Sequence, residues 1–261
     1  AEADIVMQSF TPGVADRLGL GYGRLKQINP AIIYLSISGF GQDGPWRFKR
    51  GYDPILQAAS GFMSVTGEKD RSPVKSMIPV ADVSTGIYSL AAMLAALYRK
   101  ERTGKGQSID ISMFDVNVGM STVVGTRHLL TGEVPQRQGT ENPQRVPSAA
   151  FECSDGSYLQ LVPNQRQWED FCTLIEHPEL ADHPLYATPL DRVHHQDTLY
   201  PLLREVFRSR TAEDWSERLE ANKIAHSPIY DLGEVFDLPH TKARNIVQTY
   251  HVEGVGEVPA I

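Results

Sequence analysis

The residue whose setting most invites chemistry is Asp82, in the run MIPVADVSTGIYSLAAMLAAL, with apolar residues before it and a long apolar helix after it. A carboxylate there is poorly solvated, and two readings stand side by side. In one, Asp82 is a helix N-cap or its near neighbour, with Ser84 and Thr85 as competing caps, because short oxygen-bearing side chains accept the backbone N–H groups that a helix start leaves orphaned. In the other, Asp82 is a nucleophilic carboxylate held near helix-start amides that support developing negative charge. Residue types alone leave both open.

Other candidate chemistry is weaker. Gly39-Phe40-Gly41-Gln42-Asp43-Gly44 matches the dinucleotide fingerprint literally, but that motif works only when its last glycines open a helix toward the pyrophosphate. Pro45 follows at once and WRFKRGYDP has no helical pattern, so the segment reads as a loop lining a ligand cleft at a strand's carboxyl end. The eight histidines form no HxxxH or HExxH, and His194-His195 sit among charges. No metal site is expected. Cys153 and Cys172 lie far apart without a CxxC, and no GxSxG elbow occurs, so thiol or serine acyl transfer lacks support.

The elements that must position Asp82 are an alternating set. Ala31 to Ser38 (AIIYLSIS) is β-branched and nearly uncharged, as expected of a parallel strand buried on both faces. A helical pattern at Gly23 to Gln27 precedes it, and Asp4 to Phe10 reads as a strand. Ile55 to Met63 is apolar at helical spacing, and from Ser84 to Arg102 the residues Ile87, Leu90, Ala91, Leu94, Leu97 and Tyr98 recur at intervals of three and four. Gln107 to Met113 resumes as a strand. This is an α/β layer with a mainly parallel, Rossmann-like sheet.

Near Thr131 the character changes, as glycines and prolines crowd the stretch to Pro147. The layout expected is a large domain over residues 1–130, a linker over 131–147, a smaller α+β domain over 148–235, and a tail over 236–261 returning to the large domain. In the smaller domain two strands flank an Asp155-Gly156 turn, followed by helices at Gln165 to Ile175, Thr198 to Phe207 and Thr211 to Ala221. Thr211 opens TAED, close to a capping box.

The 261 residues carry 25 Lys+Arg against 32 Asp+Glu, a formal charge of −7, which leaves nucleic acid no electrostatic footprint. The longest nearly apolar stretch, Ile87 to Tyr98, is shorter than the roughly 20 residues a bilayer requires, so no membrane span is expected. Two unpaired cysteines point to a reducing, cytoplasmic setting. The chain starts and stops inside strand-like runs, AEADIVMQSF and GVGEVPAI, and reads as a fragment.

The segments SFTPGVADRLGLGYGRL, INPAIIYLSISGFGQDGP, RGYDPILQAASGFMSVTG, VADVSTGIYSLAAMLAAL and KERTGKGQSIDISMFD resemble successive blocks of the family III CoA-transferases. That group is also named after carnitine CoA-transferase and the bile-acid-inducible F product, and includes formyl-CoA transferase-like enzymes. PSAAFECSDGSYLQLVPNQRQWEDFC resembles the start of its small domain. The resemblance implies that Asp82 is the catalytic aspartate, with Tyr52 and Asp53 a tyrosine-acid pair beside the active site. It places Phe10 and Arg17 on positions holding the CoA nucleotide and Arg50 on a basic position near bound CoA. Two departures stand out: Ser9-Phe10-Thr11 replaces the usual Asn-Phe-Arg or Asn-Phe-His, and the family's amino-terminal portion is absent.

The activity implied is transfer of CoA from an acyl-CoA to a carboxylic acid through an aspartyl anhydride and an aspartyl-CoA thioester. No tightly bound cofactor is implied; coenzyme A is substrate and product, and the GYDPILQAASGFMSVTG block inclines the reading to succinyl-CoA and a dicarboxylate. The partner implied is a second copy, in an interlocked homodimer. The alternatives are an α-methylacyl-CoA racemase-like enzyme and a non-catalytic CoA-binding remnant. Racemases carry a histidine where this chain has Tyr52, and a neutral tyrosine is a poor base near pH 7, which favours the transferase.

Overall fold

A computed structural model describes residues 3–261, which divide into two compact units, one ending at Gly139 and the other beginning at Thr140. The first unit runs β1 (Ile5–Gln8), α1 (Val14–Arg17), α2 (Tyr22–Ile28), β2 (Ile33–Ser38), α3 (Asp53–Ala59), α4 (Val80–Thr103), β3 (Gln107–Ser112), α5 (Met113–Met120) and α6 (Thr122–Thr131). Its sheet has the order β1-β2-β3, all parallel, with Ile33 opposite Ile5 on one side and Gln107 on the other. The central strand is the buried one, as its uncharged sequence requires: Ile33, Tyr34, Leu35 and Ser36 are all buried.

Helix α4 runs back along this sheet. At its far end Lys100 pairs with Asp4 just before β1, 2.6 Å apart, and in the turn after it the Gly106 N–H donates to the Pro30 carbonyl before β2. The carboxyl end of α4 therefore lies at the amino edge of the sheet. At 1.5 Å per residue its first turn lies roughly 30 Å away, beside the carboxyl edge.

Two sequence expectations change at α4. The apolar pattern places its start at Ser84, but it begins at Val80, after Pro79. Ser84 and Thr85 do not cap it; their hydroxyls donate to the carbonyls of Val80 and Ala81, 2.5 and 2.6 Å away, within the helix. The helix runs for 24 residues and is, by length and composition, long and apolar enough to cross a membrane, contrary to the count of apolar residues alone. Its packing against β2, β3, α3 and α5 makes it part of the first unit's layer.

The second unit holds β4 (Ala149–Glu152), β5 (Tyr158–Val162), α7 (Trp168–Leu174), α8 (Pro189–His194), α9 (Gln196–Phe207), α10 (Ala212–Ala221), β6 (Ala225–Pro228), α11 (Leu232–Asp237), α12 (Pro239–Ala243), β7 (Gln248–Val252) and β8 (Gly256–Ala260). β4, β5 and β6 form an antiparallel sheet, and β7 pairs with β8 as a hairpin. The turn between β4 and β5 is built on Asp155, whose carboxylate accepts the Ser157 N–H at 3.1 Å and also the Ala212 N–H at the start of α10, 3.2 Å away. Thr211 caps that helix by accepting from the Asp214 N–H. The tail from residue 236, expected with the large domain, groups with this second unit, and its hairpin adds no strand to the first unit's sheet among the described residues.

Candidate functional site

In a parallel sheet every strand ends at the same edge, and open α/β proteins bind ligands beyond that edge. Phe10 and Arg17 follow β1; Arg50, Tyr52 and Asp53 follow β2; Asp82 opens the helix whose first turn lies at that edge. All six residues singled out in the sequence thus come from segments at one side of the sheet. Phe10, Arg17, Arg50, Tyr52 and Asp82 are exposed, and Asp53 is half-buried. Arg17 folds back over the turn before it: a Cβ placed on Gly13 would lie 3.4 Å from its Nη1.

Two glycines bring Tyr52 and Asp53 to the end of β2. A Cβ on Gly51 would sit 2.6 Å from the Gly39 Cα, and one on Gly39 would sit 2.8 Å from the Gly51 Cα, so neither position admits a side chain. The glycine-rich loop between them opens no helix, as its Pro45 requires. It is pinned instead by the Gln42 N–H donating to Asp110 Oδ2 at 2.9 Å, by the Phe114 N–H donating to the Gly39 carbonyl at 3.0 Å, and by Phe40, Trp46 and Phe114, whose ring centroids lie 5.6–5.8 Å apart.

The closest meeting of site residues is between Asp53 and the backbone of Asp82. Asp53 Oδ2 accepts the N–H of Ala81 at 2.8 Å and that of Asp82 at 3.4 Å. Pro79 supplies no cap, the Val80 N–H donates to the Ile78 carbonyl, and the Val83 N–H donates to the Pro79 carbonyl. Asp53 is therefore the side-chain cap of α4, contributed by another helix. Asp82 thus lies in the first turn, a near neighbour of the cap rather than the cap itself, and the amides beside it are already occupied by a carboxylate.

Asp53 is itself held. Its Oδ1 accepts from Gln57 Nε2 at 2.6 Å, one turn further along α3, and Gln57 Oε1 accepts the Ser76 N–H at 2.9 Å. Gln57 is completely buried. Sequence reasoning passed over it, although a Gln four residues after an Asp inside an apolar helical run is the spacing at which the two side chains meet.

Desolvation by the atoms around it, with a smaller contribution from the Asp53 carboxylate, holds the Asp82 carboxyl above the usual aspartate range. No group of three or more His, Cys, Asp or Glu side chains able to hold a metal occurs among the described residues.

The fold and site define an α/β protein with an exposed carboxylate on the first turn of a helix at the carboxyl edge of a parallel sheet. The model of CoA-transferase family III matches residues 1–261, and the chain belongs to that family. It is 38% identical over 246 residues to an acyl-CoA transferase of Fusarium pseudograminearum, covering 94% of this chain and 54% of that protein. It is 35% identical over 264 residues to the succinate–glutarate CoA-transferase of Agrobacterium fabrum, covering 99% and 65%. Among solved structures, a CaiB/BaiF family protein from Brucella suis superposes with a TM-score of 0.84 at 37% identity, covering 99% of this chain and 67% of that one. The chain thus spans a little over half to about two thirds of the length of these relatives.

Proposed function

We propose that this protein transfers CoA from an acyl-CoA thioester to a free carboxylic acid, with Asp82 as the nucleophile. The observation that carries the reading is the exposed, partly desolvated Asp82 carboxylate at the carboxyl edge of the sheet, in a chain of CoA-transferase family III. Asp82 attacks the thioester carbonyl, the C–S bond breaks, and an aspartyl-acyl anhydride and CoA thiolate result. The thiolate attacks the aspartyl carbonyl, releasing the first acid and leaving an aspartyl-CoA thioester. The acceptor carboxylate attacks that thioester, regenerating thiolate and a second anhydride, which the thiolate cleaves to the new acyl-CoA and free Asp82. Every step exchanges one acyl bond for another of similar energy, so one hard transfer becomes several easier ones.

Arg17 and Arg50 serve the CoA phosphates, for which a guanidinium fork is suited, and Phe10 packs at the nucleotide. Tyr52 flanks the reacting carboxylate. The acid pair is dicarboxylic, in keeping with the succinate and glutarate of the Agrobacterium relative's name. The protein acts as a homodimer, which the exposed apolar faces of α4 and α6 support. A cytoplasmic setting agrees with Cys153 and Cys172 as buried free thiols.

The test is to incubate the protein with acyl-CoA and no acceptor, then add hydroxylamine or borohydride. A hydroxamate or alcohol on the peptide spanning Pro79 to Ser84 is expected. Label on Asp53 or Asp115 instead would move the nucleophile, and acyl exchange with no labelled residue would end the covalent mechanism. Deuterium incorporation at the α-carbon without adduct would favour the racemase reading.

A further inference from the structure

We infer that Asp53 and Gln57 are positioning residues: they cap α4 from outside and thereby fix the first turn that carries Asp82. This deepens the proposed function and rests on it. Helix α4 begins after a proline and has no cap of its own, so two amides of its first turn depend on a carboxylate 28 or 29 residues earlier in the chain. That carboxylate is constrained from the other side by a fully buried amide, whose remaining oxygen is tied to the segment leading into α4 through Ser76. Asp53, Gln57, Ser76, Ala81 and Asp82 form one closed set of hydrogen bonds. A nucleophile on a frayed first turn would sample many positions relative to the thioester carbonyl, whereas a capped turn presents one.

The assignment differs from a direct role for Asp53. Both of its oxygens are engaged as acceptors, Oδ2 by backbone and Oδ1 by Gln57, which leaves it badly placed to take or give a proton in the reaction. Its charge offsets the positive end of the α4 dipole, so the helix start does not stabilise the Asp82 anion and blunt its nucleophilicity. The raised Asp82 carboxyl agrees with that balance.

The chemistry of the pair supplies a discriminating double variant. Asp53→Asn alone, with its oxygen toward Ala81, turns an NH2 toward the Gln57 NH2 and breaks their bond. Asp53→Asn combined with Gln57→Glu restores it with reversed polarity: the introduced asparagine accepts from Ala81 and Asp82 and donates to the introduced glutamate, whose second oxygen accepts from Ser76. Gln57→Leu removes the tether without touching Asp53. Four proteins, wild type, Q57L, D53N and D53N/Q57E, are compared by amide exchange at Ala81 and Asp82, by CoA affinity, and by the rate of adduct formation on Asp82 at saturating acyl-CoA.

Q57L and D53N should lose amide protection and slow adduct formation by about tenfold or more, the scale at which small misplacements act, with CoA affinity within about twofold of wild type. D53N/Q57E should regain both protection and rate. If Q57L loses protection but keeps the rate, or if the double variant is protected yet as slow as D53N, rate and capping are uncoupled and the inference is overturned; the second outcome would assign Asp53 a direct catalytic part. Failure of wild type itself to form the adduct would instead overturn the proposed function, while the amide-exchange arm would still read whether Gln57 holds the cap.

Discussion

In the second unit Trp215 packs against Phe207 with ring centroids 4.7 Å apart and planes tilted by 44°, and donates its indole N–H to the Phe207 carbonyl at 2.8 Å, within a core that also encloses Phe151, Phe171, Leu199 and Leu203. In the first unit α4 turns small residues inward, burying Ala81, Ser84, Thr85, Ser89 and Ala96, and leaves Ile87, Leu90, Leu94 and Tyr98 each more than half exposed. On α6, Leu129 and Leu130 are more than four-fifths exposed. The second unit's core is built from large side chains, whereas α4 and α6 of the first unit present theirs outward and its buried apolar residues, such as Ile33, Leu35 and Leu56, come from β2 and α3. Apolar surface of that extent marks an interaction face. The helix that carries Asp82 is thus one with a broad exposed apolar face, whereas the second unit's exposed apolar residues, such as Tyr250 and Val255, lie outside its core, on and beside the β7–β8 hairpin.

The contrast extends to polar groups. Buried Arg192 in the second unit has no carboxylate partner among the described residues, yet its guanidinium donates to the carbonyls of Val146 and Tyr186 at 2.9 and 2.8 Å, bonds Gln165, and lies over Trp168 at 4.3 Å. Its charge is spent on structure. Asp82 has no salt-bridge partner among the described residues.

The largest effect expected is on the first unit's chemistry. Asp82→Asn should lower CoA transfer by at least about a thousandfold, as loss of a covalent nucleophile does, while the melting transition stays within a degree or two, because an exposed side chain is replaced by an isostere. Activity near wild type would break the assignment of chemistry to this unit. Next, Trp215→Ala should destabilise the second unit by about 3–5 kcal/mol, read from denaturant midpoints. A change under about 1 kcal/mol would mean that its core is less closed than the comparison holds.

Arg17→Ala should raise the KM for acyl-CoA by roughly five- to tenfold with kcat little altered, the signature of binding made equally in ground and transition states. An unchanged KM would remove Arg17 from the site. A pH effect follows from the proposed role of Asp82, which requires the anion, because its carboxyl is raised by desolvation and by Asp53. The acid limb of adduct formation should therefore lie above the ordinary aspartate range, and D53N should shift it toward lower pH. In stability terms a raised acid favours the fold at low pH and loses that contribution as pH rises through its folded value.

The smallest effect is expected at the cysteines. Burial pushes the Cys153 thiol up to about 11 and the Cys172 thiol up to about 12. Neither should react with a thiol-specific reagent at pH 8 in the folded protein, and both should react on unfolding. Rapid labelling of either in native conditions would show that the second unit opens locally.

Much was legible because it was local. The uncharged β-branched run of β2, the Asp155-Gly156 turn, the Thr211 cap and the helical period of α4 all arise from neighbours in the chain, whose propensities act over a few residues. The family blocks were legible for the same reason, as contiguous strings. The direction of the α4 stripe was not: a period of three and four says that one face is apolar, but not whether the sheet takes that face or the one lined by alanine and serine. Close approach to the sheet selected the small residues. The start of α4 was equally hidden. Its cap is Asp53, and no local pattern reports a hydrogen bond spanning 28 residues. Residue types therefore established that Asp82 stands at a helix start among apolar neighbours. The tertiary structure decided who holds that start, because orphan amides take whatever acceptor the fold brings within reach, and here a parallel crossover brings α3 to the first turn of α4.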